Sequence, residues 1–300
     1  MQGASGSAVQ YSFNARGLIA SEKMTVAAEV RHRGYDYDPR GFLSRSADEA
    51  SLATYTYSST GLPDTTVDEA GTRTVARSGA TSITAGNVTY TYDSLGRVVA
   101  RGSTSFEYGP DGHLASASDG VRSWSYAYDE GGNRLLKIEG GVPIAGFVGD
   151  SYLTADSLVS PIKIGGHVVG VVEHGVFQPL ASDPRGTLLA DKDGTPRFAS
   201  PYGVRSGRPD LSAALDYVEK SYDADLGTVR MGVRDYDPAL SQFWTPDPLF
   251  FTSLDKCAES PVECNLYAYA LNNPVMYVDP DGRDVGGAAL PYEQGGRVLI

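Results

Sequence analysis

An all-β fold, a large curved antiparallel sheet of stacked hairpins, is what the sequence predicts, and three observations carry it. Tyrosine dominates the aromatic residues, 19 against 9 Phe and 2 Trp, and it suits a pleated surface where the ring packs and the hydroxyl stays wet. Glycine and proline number 35 and 17, so turns are frequent, while a hydrophobic content of 41% still supports a core. Third, the pattern Y-x-Y-D-x-x-G-x-L recurs through the first half of the 300 residues.

The repeat runs in order. A weak copy, Tyr11 to Leu18, opens the series; Tyr35, Tyr37, Asp38 and Gly41 form the first strong one, followed by Tyr55, Tyr57 and Gly61. Tyr90, Tyr92, Asp93 and Gly96 come next, then Phe106, Tyr108 and Gly112, then Tyr126, Tyr128, Asp129 and Gly132. Alternation places the two aromatics of each unit on one strand face. The Asp opens a turn, and the Gly supplies the positive φ of a type I turn with a G1 bulge. Spacings of 20, 35, 16 and 20 between the second aromatics are too loose for a helical solenoid. Twist accumulating over side-by-side hairpins curls the sheet.

Beyond residue 141 the pattern changes. Ile162 to Leu180 is rich in Val and Ile and broken by glycine, which predicts two or three further strands, and residues 182–203 alternate turns with strands. Residues 210–223, DLSAALDYVEKSYD, are the one stretch with helical character. Turns close the chain at Asn272-Asn273-Pro274 and Asp279-Pro280-Asp281-Gly282. The expected division is a hairpin wall over 1–140, further strands over 141–220, a core segment over 221–283 and a separate tail over 284–300.

Composition excludes several function classes. A net charge of −12 has the wrong sign for gripping nucleic acid or an anionic membrane, and no apolar run approaches the roughly 18 residues of a membrane span. Walker, dinucleotide-binding and nucleophile-elbow motifs are missing, and His32, His113, His167 and His174 are scattered, so neither a cofactor nor a metal is expected. Cys257 and Cys264 form either a local disulfide or two free thiols. The opening residues carry no secretory signal pattern, so export would need another route or an upstream segment.

The Tyr-Asp repeats and everything from about Phe177 to Arg283 resemble the RHS (rearrangement hot spot), or YD-repeat, proteins and their repeat-associated core domain. Asp183, Gly186, Asp193 and Gly194 fit the segment preceding that core. Tyr222, Asp223, Gly227, Arg234, Tyr236, Asp237, Pro238, Phe243, Asp247 and Pro248 fit the core itself, and NLYAYALNNPVMYVDPDGR fits its end. The resemblance implies a partial β-shell around a toxic C-terminal cargo, with the core turning inward as a plug. It also implies self-cleavage after the DPDG motif by an aspartyl-type site of Arg234, Asp247 and Asp279.

Two carboxyls with separated pKa values can divide the activation of water and protonation of the leaving amide, while the arginine polarises a carbonyl. Each Asp-Pro here is equally well explained as a turn former, and Arg234 as the partner of a buried carboxylate. Two departures bear on cleavage. Arg283 stands where the family has Leu beside the cut, at Gly282, Arg283 and Asp284, so a charge would have to enter an aliphatic pocket, making cutting slow or absent. The 17 residues after Arg283 are too few for a toxin domain. The expected role is therefore a shell-and-plug fragment of a toxin-delivery protein, secreted or on the cell surface, whose partners are its own cargo, secretion machinery and the remaining shell. The alternative is an extracellular carbohydrate- or cell-surface-binding module using the tyrosine face.

Overall fold

A computed structural model describes residues 7–79, 81–248, 265–283 and 286–287. Nineteen strands, from Ala8–Phe13 to Val176–Pro179, form one sheet in which each strand pairs antiparallel with its neighbours in sequence. Among the described residues no pairing joins the first strand to the last, so the wall is open. The repeat turns are as expected. Gly17, Gly41, Gly61, Gly96, Gly112 and Gly132 all have φ between 75° and 91°. The register slips by one residue at the second aromatic of the unit, as a G1 bulge requires. Asp38 shows the local logic: its Oδ1 accepts the Arg40 and Phe42 amides at 2.8 and 3.0 Å.

The two aromatics of a unit have different tasks. Tyr35, Tyr55, Tyr90, Phe106 and Tyr126 are buried on the inner face. Tyr37, Tyr57, Tyr108 and Tyr128 are half-buried and donate their hydroxyls to the carbonyls of Ile19, Leu43, Val98 and Leu114, at 2.7–2.8 Å. Each acceptor lies two residues past the turn glycine of the preceding unit, so one hydrogen bond ties every such hairpin to the one before it. In the long 35-residue step an extra hairpin intervenes, and Arg77 makes the corresponding bond to the Pro63 carbonyl at 3.0 Å.

Residues 181–248 and 265–283 lie against the inner face. Tyr202, Tyr217, Val229, Met231, Tyr236 and Phe243 pack on Ile19, Tyr35, Leu43 and Tyr55, while Leu226, Leu240 and Trp244 pack on Val98, Phe106 and Trp124. Within this layer Tyr222–Asp223, Thr228–Met231, Arg234–Asp237 and Gln242–Phe243 make a small antiparallel sheet, the last three strands buried throughout. Leu188, Leu211 and Leu215 bind the late strands, and Leu189 and Phe198 the first ones, so 188–215 bridges both ends of the wall. Of the two or three strands expected over 162–180, three are present, Leu158–Ile164, His167–Glu173 and Val176–Pro179.

Two expectations fail. Residues 210–223 form turns and then the short strand Tyr222–Asp223 rather than a helix, because Val218 and Glu219 sit at φ 48° and 60° and the buried Asp216 is held by Arg205 and Arg208. Over 182–203 the turns form but the strands shrink to single bridges at Ser182↔Leu188 and Ala190↔Pro196, since Pro184, Pro196 and Pro201 donate no amide.

Candidate functional site

Arg234 opens the strand Arg234–Asp237 directly after the turn at Gly232. That turn meets the DPDG turn so closely that a side chain at Gly232 would strike the Asp281 carbonyl, and one at Gly282 the Met231 carbonyl. Both glycines also have positive φ, 50° and 67°. The Val233 amide donates to the Asp281 oxygen at 3.0 Å, which locks the two turns together.

This packing gathers Arg234, Asp247, Asp279, Gly282 and Arg283. Arg234 Nη2 lies 3.0 Å from Asp279 Oδ2 and 3.4 Å from Asp247 Oδ2. Its Nε donates to the Gly282 carbonyl at 2.7 Å, its Nη1 to the Leu266 carbonyl at 3.2 Å, and the guanidinium rests 3.6 Å from the Phe243 ring centre. Asp279 Oδ1 accepts the Arg283 amide at 3.0 Å. The Gly282–Arg283 peptide is thus held at its oxygen by Arg234 and at its nitrogen by Asp279, one peptide upstream of the bond the resemblance names.

Burial pushes the Asp279 carboxyl up to about 7, outweighing the opposing pull of Arg234; Asp281 and Asp247 add to the rise and the Arg283 amide opposes it. Asp247 is more open, with a quarter of its side chain exposed. The two carboxyls therefore occupy unlike environments on one guanidinium. Arg283 is exposed and reaches the Gly131 carbonyl at 3.4 Å, so the expected desolvation of its charge in a closed pocket does not arise here. Asp284, Cys257 and Cys264 lie outside the described residues.

A second constellation escaped sequence reasoning. Arg134, buried on the wall, reaches Asp223 and Asp235 of the inner layer, each at 3.2 Å. Lys137 binds Asp223 at 2.5 Å and Asp225 at 2.7 Å, and Arg230 binds Asp235 at 2.8 Å and the Gly132 carbonyl at 3.2 Å. Asp237 takes Trp244 Nε1 at 3.1 Å and the Tyr90 hydroxyl at 3.0 Å. A signal existed. Two residues past the turn glycine the units carry Ile19, Leu43, Pro63, Val98 and Leu114, all buried and apolar, and then Arg134. Such a charge requires an acidic partner from elsewhere. The tyrosine face, in turn, is covered: Tyr108, for instance, is tied to Val98 and lies under Arg97.

Comparison with known proteins adds the following. A model of the teneurin YD-shell matches residues 2–144 and 197–275, well over half the chain. The tRNA3(Ser)-specific nuclease WapA of Bacillus spizizenii is 28% identical over 212 residues, covering 64% of this chain and 9% of its own length. Teneurin-1 of Mus musculus is 25% identical over 295 residues, covering 89% and 11%. This chain therefore spans about a tenth of those relatives. Among solved structures, TcdB2-TccC3 superposes with a TM-score of 0.59 at 18% identity, over 91% of this chain and 18% of that one. A Photorhabdus luminescens Tc holotoxin pore gives 0.56 at 16% identity, over 97% and 19%. At these identities the likeness establishes the fold.

Proposed function

The chain belongs to the teneurin YD-shell family, and on that premise we propose that it is a wall-and-plug section of a hollow shell that encloses a polypeptide cargo in toxin delivery, outside the cell that makes it. The observation that carries this reading is the inner layer. Residues 181–248 and 265–283 line the inner side of an open wall and are joined to it by buried ion pairs, as a segment that stoppers a larger shell would be. The remaining shell strands and the cargo are its partners. A carbohydrate-binding role draws no support from the tyrosine ladder, whose rings are buried or half-buried and four of whose hydroxyls, on Tyr37, Tyr57, Tyr108 and Tyr128, are tied to backbone carbonyls. Limited proteolysis of the complete polypeptide that carries this chain tests the shell. The downstream segment should resist protease until denaturant opens the wall, and its digestion as fast as the isolated segment would refute enclosure.

The finer part of the proposal is self-cleavage after Arg283. Water would add to the Arg283 carbonyl carbon as the Asp247 carboxylate takes its proton, and protonated Asp279 would hand its proton to the departing amide of residue 284. Arg234, by fixing the Gly282 carbonyl, would present the next peptide. The acid form of Asp279 exists below about pH 7, so the rate should fall as pH rises through that value. Intact-mass spectrometry of the chain incubated at pH 5.5 to 8.5, roughly one unit or more either side of that value, checks it. Appearance of the 1–283 fragment, faster in acid and abolished in Asp279→Asn, is expected. A chain that stays whole throughout removes the cleavage step and leaves the shell reading standing.

A further inference from the structure

The outward face of the wall changes character along the chain. In its middle the cross-strand rows are small and hydroxylated: Thr56, Thr65 and Thr74 stand side by side, as do Ser105, Ser118 and Ser123. At Ser125↔Ile138 the rows turn apolar. Across the last six strands, Arg134–Glu139 to Val176–Pro179, Leu136, Gly146, Leu153 and Leu158 are successive partners in one outward row. Val172 is paired with Phe177 in another, and the Phe177 ring folds over Gly170, where a Cβ would collide with it.

The charged residues of these six strands, Arg134, Lys137, Glu139, Lys163 and Glu173, pair in register with inward residues, so the outward rows carry none. Leu136, Val148, Leu153, Leu158 and Phe177 are between 37% and 71% exposed. Four of the six strands lie between the two segments matched by the family model.

We propose that this uncharged outward face is where a second copy of the chain docks, the two sheets stacking face to face about a two-fold axis. An isologous contact needs one surface that complements itself, and flat rows of Leu, Val and Phe interdigitate when two sheets stack about 10 Å apart. Six strands about 4.8 Å apart and about 20 Å long give a footprint of roughly 500 Å² before side-chain relief, of the order of the ~800 Å² per partner found in stable complexes. The chain's charge of −12 disfavours an anionic lipid surface as the occupant. Pro179 lacks an amide on Val176–Pro179, the edge strand among the described residues, which favours facial stacking over sheet extension.

Sedimentation velocity over a concentration series decides it. The native chain should associate to a dimer in the micromolar range. Leu153→Lys with Leu158→Lys, adjacent in the outward row, should weaken that by about a hundredfold or more with an unchanged circular dichroism spectrum. Thr65→Lys, on the hydroxylated part of the face, should dimerise like the native chain. If the lysine pair fails to fold, Leu153→Ser with Leu158→Ser replaces it with the same expected loss. A native chain that stays monomeric throughout, or a folded variant pair that dimerises undiminished, overturns the proposal.

Discussion

The wall and the inner layer use the same aspartate turn for different ends. In the wall, Asp38 and Asp93 cap their own turns with Oδ1 and give Oδ2 to an arginine two or four residues on, near solvent. In the inner layer, Asp237 caps its turn in the same way, yet its Oδ2 is buried and taken by Trp244 and by Tyr90 from the wall. Asp223 likewise caps Asp225 and Leu226 while binding Arg134 and Lys137. One motif gives a self-sufficient hairpin in the first setting and a long-range latch in the second.

The sharpest way to break this contrast is to remove a cation from each setting. Arg134→Met leaves Asp223 short of a partner and strips Asp235 of one of two, and should cost about 3–5 kcal/mol in urea unfolding. Arg97→Met loses a partly exposed pair with Asp93 and should cost less than about 1 kcal/mol. Similar losses at both positions would erase the distinction. A smaller effect belongs to the wall's own ties. Tyr128→Phe deletes the hydroxyl bond to Leu114 and should cost about 1 kcal/mol, with Tyr108→Phe alike because its bond to Val98 is equivalent. No loss in either would mean the hydroxyl ties add nothing to the backbone ladders and ring packing between hairpins.

What the sequence made legible follows the same division. Turn positions, bulges and the inward aromatic ladder depend on neighbours within a few residues, and they were readable from Asp-x-x-Gly spacing. The junction of Arg234, Asp247 and Asp279 was reachable through resemblance, since the sequence alone allowed each to be a turn or core residue. Partners of Arg134 lie 89 and 101 residues away, and no local pattern names them. The helical reading of 210–223 failed for a related reason: buried Asp216 and its arginines override propensity. Identity alone does not reveal that the Arg283 side chain leaves the turn toward solvent.

Whether the inner layer sits on the wall through these charges is tested most directly by zero-length carbodiimide cross-linking of the native chain, read by peptide mass spectrometry. Lys137 Nζ lies 2.7 Å from Asp225 Oδ2 across the two layers, and Lys163 lies 2.9 Å from Asp150 within the wall as an exposed control. Both linked peptides should form in the folded chain, and the Lys137–Asp225 link should vanish in denaturant. Recovery of the Lys163–Asp150 link without the Lys137–Asp225 link would contradict the account.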